Sequence, residues 1–360
     1  MTLEDFINGL NLELSLTKDF SNDDVFNAFE KYVENKDILK KAITFGLFHY
    51  DYIKYKEIFL NTLFEEGISL IIDMQNNAKK VSSGKVNMIF EDGYHQISKG
   101  YASFTQLMWL QNPQQQVERL DVFAKQVFNL IGDIIENSLK PFFIYLNSVR
   151  CILQNRDENQ NKLGLIVDAL KNYSPIFKGL YMDLMFGISI SQWRNIAAHG
   201  DCKCINNKIE IEYGPINKKI KKHFNRNDIL SLYHRIDALF YMHKIAITLM
   251  SIDNNTIITN SKFLLEKSPL TMEDDIISQI VETAFTYGFQ VSKIDADSNP
   301  WQIEAKTSNK INNKEILLNF LNIIANLVKK DFIMCILHGE KVECYVDFKN
   351  HKLKVFKFRV

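Results

Sequence analysis

The sequence predicts a mainly α protein: an N-terminal helical region over 1–115, a helical bundle with a β-hairpin insert over 116–252, and a smaller α+β domain over 255–360. Three observations carry that expectation. Apolar residues recur at helical spacing through most of the chain up to residue 252. Within that span, one short stretch around Asn206-Asn207 alternates with period two. Beyond about residue 255 the two periodicities interleave, as in an α+β unit. The chain has 360 residues, of which 46% are apolar and 24% charged, so it is long enough for two or three cored domains and is not wholesale disordered.

Taken in order, "NDDVFNAFEKYVEN" and "YIKYKEIFLNTLFEEGISLIIDM" both place apolar positions one helical turn apart, the first behind an Asn/Asp cap. Ser82, Ser83 and Gly84 break the pattern, so a loop is expected over 78–87. "NPQQQ" at 112–116 is the next break. "VERLDVFAKQVFNLIGDIIENSL" reads as a long amphipathic helix, and Pro141 marks the start of another through about Gln154. After the polar loop "NRDENQNK", a helix is expected over about 161–172. Ser174-Pro175 then supplies a cap and a first-turn proline. A short helix follows, opened by Ser189 or Ser191 and closed at Gly200. The β-hairpin comes next, and a last long helix runs from about Asp228 to Ser251. In the C-terminal domain, helices are expected near 273–287 and 313–330. Strands are expected near 288–294, 301–307, 331–338, 341–348 and 352–359.

Charge and cysteine usage narrow the function classes. The 43 basic and 43 acidic residues cancel, so any nucleic-acid site must rest on a local patch. The start "MTLEDFINGLNLEL" lacks the basic-then-apolar pattern of a signal peptide. No uncharged stretch approaches the roughly 18 residues of a spanning helix. No membrane association is expected. The five cysteines, at 151, 202, 204, 335 and 344, are scattered and odd in number, which fits reduced thiols in a cytoplasmic protein.

The stretch that asks for a chemical explanation is "SQWRNIAAHGD", 191–201. Asn195 and His199 are four residues apart and share a helix face, about 40° from each other. Arg194 lies five residues before His199, roughly 140° round, so the two cannot converge on one point from one straight helix. A two-fold partner would resolve this, with each phosphate site drawing on both protomers. The small Ala197 and Ala198 would then let two such helices approach. His199 falls in the last helical turn, where the helix dipole favours an imidazolium. A guanidinium for phosphate, a histidine for proton transfer and an amide to orient it are the parts of metal-free RNA cleavage by the ribose 2′-OH.

"RNIAAH" resembles the Arg-x4-His signature, with a polar residue after the arginine, of HEPN-domain ribonucleases. The surroundings agree over about residues 117–252: helices before, "ISQW" leading in, a short β-insert after, and the long helix "DILSLYHRIDALFYMHKIA". The resemblance implies a dimer-dependent endoribonuclease that needs no metal or other cofactor. Members often act as toxins or antiviral effectors, which brings in RNA as partner, a homodimer or higher even oligomer, and an antitoxin or sensor protein as companion. The family roles carry over to Arg194, Asn195 and His199 as catalytic residues. A non-catalytic HEPN scaffold that binds RNA or protein is the alternative within the same resemblance.

Other residues invite separate readings. "NKKIKKHFNR" (217–226) is a local basic patch, and Lys218, Lys219, Lys221 and Lys222 are expected to hold an RNA backbone; a solvated hairpin edge is the plainer alternative. His199, Cys202 and Cys204 form an incomplete zinc corner, and the two cysteines read better as same-face strand residues. His234 and His243 are expected to pack or cap, and Arg235 and Asp237 to form an ion pair. "WQIEAKT" gives Glu304 and Lys306 the Glu-x-Lys spacing of magnesium-dependent nucleases, with Asp295 or Asp297 and Glu282 as further carboxylates. A magnesium-dependent DNA nuclease is therefore the runner-up function, and a sensing or partner-binding role the leading one for that domain.

Overall fold

The computed structural model describes residues 20–44, 48–58, 61–110, 119–156, 161–200, 202–215, 217–254, 280, 289–295, 301–307, 333–337, 341–347 and 352–359. It is mainly α-helical. Two compact units emerge, one from Met1–Lys54 with Ser268–Val360 and one from Tyr55–Lys267. Among the described residues no helix is long and apolar enough to cross a membrane.

The first unit opens with α1 (Asn22–Phe29) and α2 (Lys36–Thr44), and the division falls within the next helix, α3 (His49–Ile58). Ser21 and Asp24 start α1 with a capping box: Ser21 Oγ accepts the Asp24 N–H at 3.2 Å, and the Asp24 carboxylate accepts the Ser21 N–H at 2.6 Å. Phe29 and Phe48 are buried, and Phe29 meets the Tyr52 ring edge-on.

The second unit holds the motif. Its longest element is α4 (Thr62–Leu110), which begins after a break at Asn61 where one longer helix was expected. The loop expected over 78–87 is a single kink. Only Ser82 leaves helical geometry (φ −158°, ψ 88°), because buried Ala78 on one side and Val86 and Phe90 on the other keep both halves packed. α4 packs along α6 (Lys140–Leu153) and α10 (Arg226–Asp253), with Phe90 against Tyr145 and Phe104 stacked 3.7 Å from Phe240. Residues 62–110 therefore join the motif's own unit. The two units divide at Tyr55, whereas the sequence break at 112–116 placed a boundary near residue 115.

α5 (Leu120–Asp133) runs into α6 through a π-helical segment, Ile134–Leu139. Pro141 lies in the first turn of α6, as expected: proline has no N–H for the carbonyl four residues back, and the wider π turn before it absorbs the loss. Gly100 of α4 presses on it, since a Cβ there would lie 2.9 Å from the Ser138 carbonyl. α7 (Leu163–Tyr173), α8 (Pro175–Lys178) and a π turn (Gly179–Asp183) follow, with Ser174 Oγ accepting the Ile176 N–H at 3.2 Å as the sequence predicts.

Then come α9 (Ile190–His199) and strands β1 (Cys202–Ile205), β2 (Lys208–Tyr213) and β3 (Ile220–Phe224), an antiparallel sheet in that order. Asn206 and Asn207 turn β1 into β2 with φ of 49° and 57°, the left-handed pair a two-residue hairpin requires. Asn225 starts α10 with a second capping box, and α10 is buried almost all round from Leu239 to Met250, which makes it the central helix.

The remaining strands belong to the first unit: β4 (Phe289–Asp295), β5 (Trp301–Thr307), β6 (Ile333–Leu337), β7 (Lys341–Asp347) and β8 (Lys352–Arg359). β4 and β5 are antiparallel, β5 and β6 parallel, and β7 and β8 form an antiparallel pair. The helix expected over 313–330 falls between β5 and β6 in the sequence. That helix, and the one near 273–287 apart from Ile280, lie outside the described residues.

Candidate functional site

The site is built around α9. Ile190, Trp193 and Ile196 form its buried stripe, with Trp193 fully enclosed between Phe128 and Phe224. Ala197 fills the space beside Gly132 of α5, 3.0 Å from where a Cβ would stand. The small residue expected to admit a second helix at 197 is thus spent on packing within the chain; Ala198 and His199 remain exposed.

Three side chains hold the loop that feeds α9. Arg235 donates to the Leu184 carbonyl, Trp193 Nε1 to the Met185 carbonyl at 3.0 Å, and Lys222 Nζ to the Phe186 carbonyl at 2.9 Å. Arg235 also lies over the Phe186 ring at 4.5 Å, so its guanidinium serves this loop and not the ion pair with Asp237 that its spacing suggested. Phe186 and Gly187 both take left-handed φ (58° and 72°), a turn such clamps keep in place. Sequence reasoning missed these supports because their partners are backbone carbonyls, which no residue pattern announces.

Arg194 projects from α9 toward the π-helical segment, where Glu136 receives its Nε at 2.8 Å. Glu136 also receives Lys140, so one carboxylate holds two cations. Burial pushes the Glu136 carboxyl up, but the hydrogen bonds and charges of Lys140 and Arg194 outweigh it and keep the group below the usual range. The Asn195 Oδ1 accepts from Arg194 Nη1 at 3.4 Å, a long bond. The amide expected to orient His199 therefore leans on the arginine. His199 itself ends the helix, exposed, one residue before Gly200, whose φ of 65° closes α9 in the left-handed conformation.

Arg194 and Asn195 line an open cleft of about 560 Å³ between α7, the π-helical segment, the start of α9 and the end of β2. Lys140, Lys162 and Lys171 share that lining, opposed by the carboxylates of Glu136 and Asp168. His199 lies outside it. One protomer thus brings Arg194 and Asn195 to a cationic cleft and leaves His199 at the far end of the same helix.

The four lysines of the insert do not form one free cationic surface. Lys219 Nζ lies 3.2 Å from Glu212 and Lys221 Nζ 2.9 Å from Glu210, both on β2, while Lys222 is turned inward to Phe186. Among the described ion pairs Lys218 has none. The alternation "EIE" on β2, set opposite the lysines by the register Glu212↔Lys221, is the signal that would have shown the pairing.

Cys202 and Cys204 sit on one face of β1, opposite Ile211 and Ile209. Burial and the Asp121 carboxylate push the Cys204 thiol up, away from the thiolate that a zinc ligand needs. His243 is enclosed by Phe142, Phe143 and Tyr181, with Nε2 3.2 Å from the Tyr181 hydroxyl, as a packing histidine. On β5, Glu304 stands opposite Lys293 and Lys306 opposite Gln290, with Asp295 opposite Gln302. Asp297 and Glu282 lie outside the described residues, and the described residues contain no group of three His, Cys, Asp or Glu able to hold a metal. Comparisons with protein-family models, curated proteins and solved structures return no match for this chain.

Proposed function

We propose that this protein is a metal-independent endoribonuclease of HEPN type, with Arg194, Asn195 and His199 in its active site. The observation that carries this reading is the setting of Arg194. Its Nε is held by Glu136, which leaves the outer edge of the guanidinium toward an open, cation-lined cleft. A fixed cation facing an open cleft suits a phosphate whose negative charge grows in the transition state.

In the proposed reaction, the ribose 2′-OH attacks the adjacent phosphorus and the bond to the 5′-oxygen breaks. An imidazole takes the 2′-proton, and a proton returns to the leaving 5′-oxygen. The products are a 2′,3′-cyclic phosphate and a 5′-hydroxyl. Arg194 stabilises the phosphorane-like charge, and Asn195 steadies Arg194. Within one helix, His199 is about 7.5 Å further along the axis and roughly 140° round from Arg194. A two-fold partner bringing its own His199 to this Arg194 completes the site. The role in the cell that fits such an activity is that of a toxin or antiphage effector.

Total RNA incubated with the purified chain in EDTA tests the reading. Cleavage with cyclic-phosphate ends is expected; 3′-hydroxyl and 5′-phosphate ends would show that water attacked and that the mechanism is wrong.

A further inference from the structure

The cleft extends beyond what cleavage of one bond requires. Lys171 is only 15% exposed, yet it lines the cleft, 2.8 Å from Asp168 and 3.4 Å from the Ser189 hydroxyl. A lysine carries three donors, so this ammonium keeps one beyond those two contacts. Ser189 and Ser191 hydroxyls lie 3.1 Å apart beside it. Ser189 occupies the N-cap of α9 but makes no capping bond, its hydroxyl being turned to Lys171 and Ser191. The first N–H groups of α9 are thereby left without a side-chain acceptor. Lys162 stands at the start of α7, likewise without a capping bond, and is exposed.

Charge and shape point the same way. The lining holds Lys140, Lys162, Lys171 and Arg194 against Glu136 and Asp168, an excess of positive charge. Two helix N-termini add partial positive charge to the same space. Tyr213 contributes the one aromatic ring of the lining. Ammonium groups, hydroxyls and an aromatic face within about 560 Å³ are the complement of a single nucleotide: phosphate on the cations, base on the ring.

We infer that this cleft is a nucleotide subsite, seating the nucleotide next to the scissile phosphate, with its phosphate at Lys162, Lys171 and the first turn of α9 and its base on Tyr213. The inference rests on the ribonuclease reading for what lies at Arg194. Continuity of the lining from Lys171 to Arg194 is what favours a strand, which presents successive phosphates, over a free nucleotide.

The test is fluorescence anisotropy of the full chain with a labelled hexaribonucleotide carrying 2′-O-methyl groups throughout, which binds but cannot be cut. Lys162→Glu and Tyr213→Ala are each expected to weaken binding by about tenfold, while Tyr213→Phe keeps the ring and the affinity. Circular dichroism should show native helix content in all three, since residues 162 and 213 lie at element ends. Wild-type affinity in both Lys162→Glu and Tyr213→Ala would overturn the subsite, as would equal loss in Tyr213→Phe and Tyr213→Ala. Adenosine 5′-monophosphate competing as strongly as the hexamer would overturn the strand and leave a free nucleotide. Failure of the two readings is separable. Cyclic-phosphate cleavage with variant-insensitive binding removes only the subsite; variant-sensitive binding without any cleavage removes the nuclease and supports the cleft.

Discussion

Arg194 and His199 stand on the same ten-residue helix and are held in opposite ways. Arg194 is tied into its own chain: Glu136 takes its Nε, Asn195 accepts from its Nη1, and it forms part of the cleft lining. His199 ends the helix in the open, with no hydrogen bond or ion pair among those described. The phosphate-binding half of the proposed site is preorganised within a protomer, and the proton-transfer half is presented outward. That asymmetry is what a site completed by a second copy requires.

The largest expected effects fall on the pair itself. His199→Ala and Arg194→Ala should each lower RNA cleavage by roughly 10²-fold or more, with native circular dichroism, since neither side chain belongs to the buried stripe. Activity that survives His199→Ala would break the comparison at its exposed end. Next comes Glu136→Gln, which weakens the anchor of Arg194 while leaving its charge. Cleavage should fall about tenfold through misplacement of the guanidinium, visible as a lower kcat in single-turnover assays. An unchanged rate would mean that Arg194 needs no anchoring.

The interior carries a pH dependence of its own. Burial lowers His243 from 6.5 to about 3, so the folded state keeps it neutral where the unfolded chain would take a proton. Stability should therefore fall as pH drops from about 6.5 to about 3 and level off below. His243→Phe should flatten that slope in a thermal melt series; a slope unaltered by the change would assign acid sensitivity to other groups. The smallest effect concerns the insert. With Lys219 and Lys221 already paired to Glu212 and Glu210, replacing both by Ala should shift RNA affinity and its salt slope only slightly. A slope reduced by about two would show that the lysines leave those carboxylates for phosphate.

Most elements were legible because their signals are local. Ser174-Pro175, the Asn206-Asn207 turn and Gly200 each act within a few residues, and all formed as expected. The loop expected over 78–87 has a different outcome. Ser82 to Gly84 are breakers by local chemistry, yet buried neighbours carry the helix across them with one kink, whereas Pro141 opens α6 as expected. In the site, the Arg194–His199 mismatch followed from helix geometry alone. Glu136 did not, because it lies 58 residues from Arg194 and meets it only once the π-helical segment and α9 pack. The cleft was hidden for the same reason: Lys162, Lys171 and Tyr213 share no motif, only a place.

Mixing the two inactive variants tests the central claim most directly. Arg194→Ala and His199→Ala chains, co-expressed and purified together, should recover roughly a quarter of wild-type RNA cleavage. Half of the dimers are then mixed, and each mixed dimer joins one intact Arg194 to one intact His199. A mixture as inactive as either parent, while the wild type cuts RNA, would contradict a site shared between two copies.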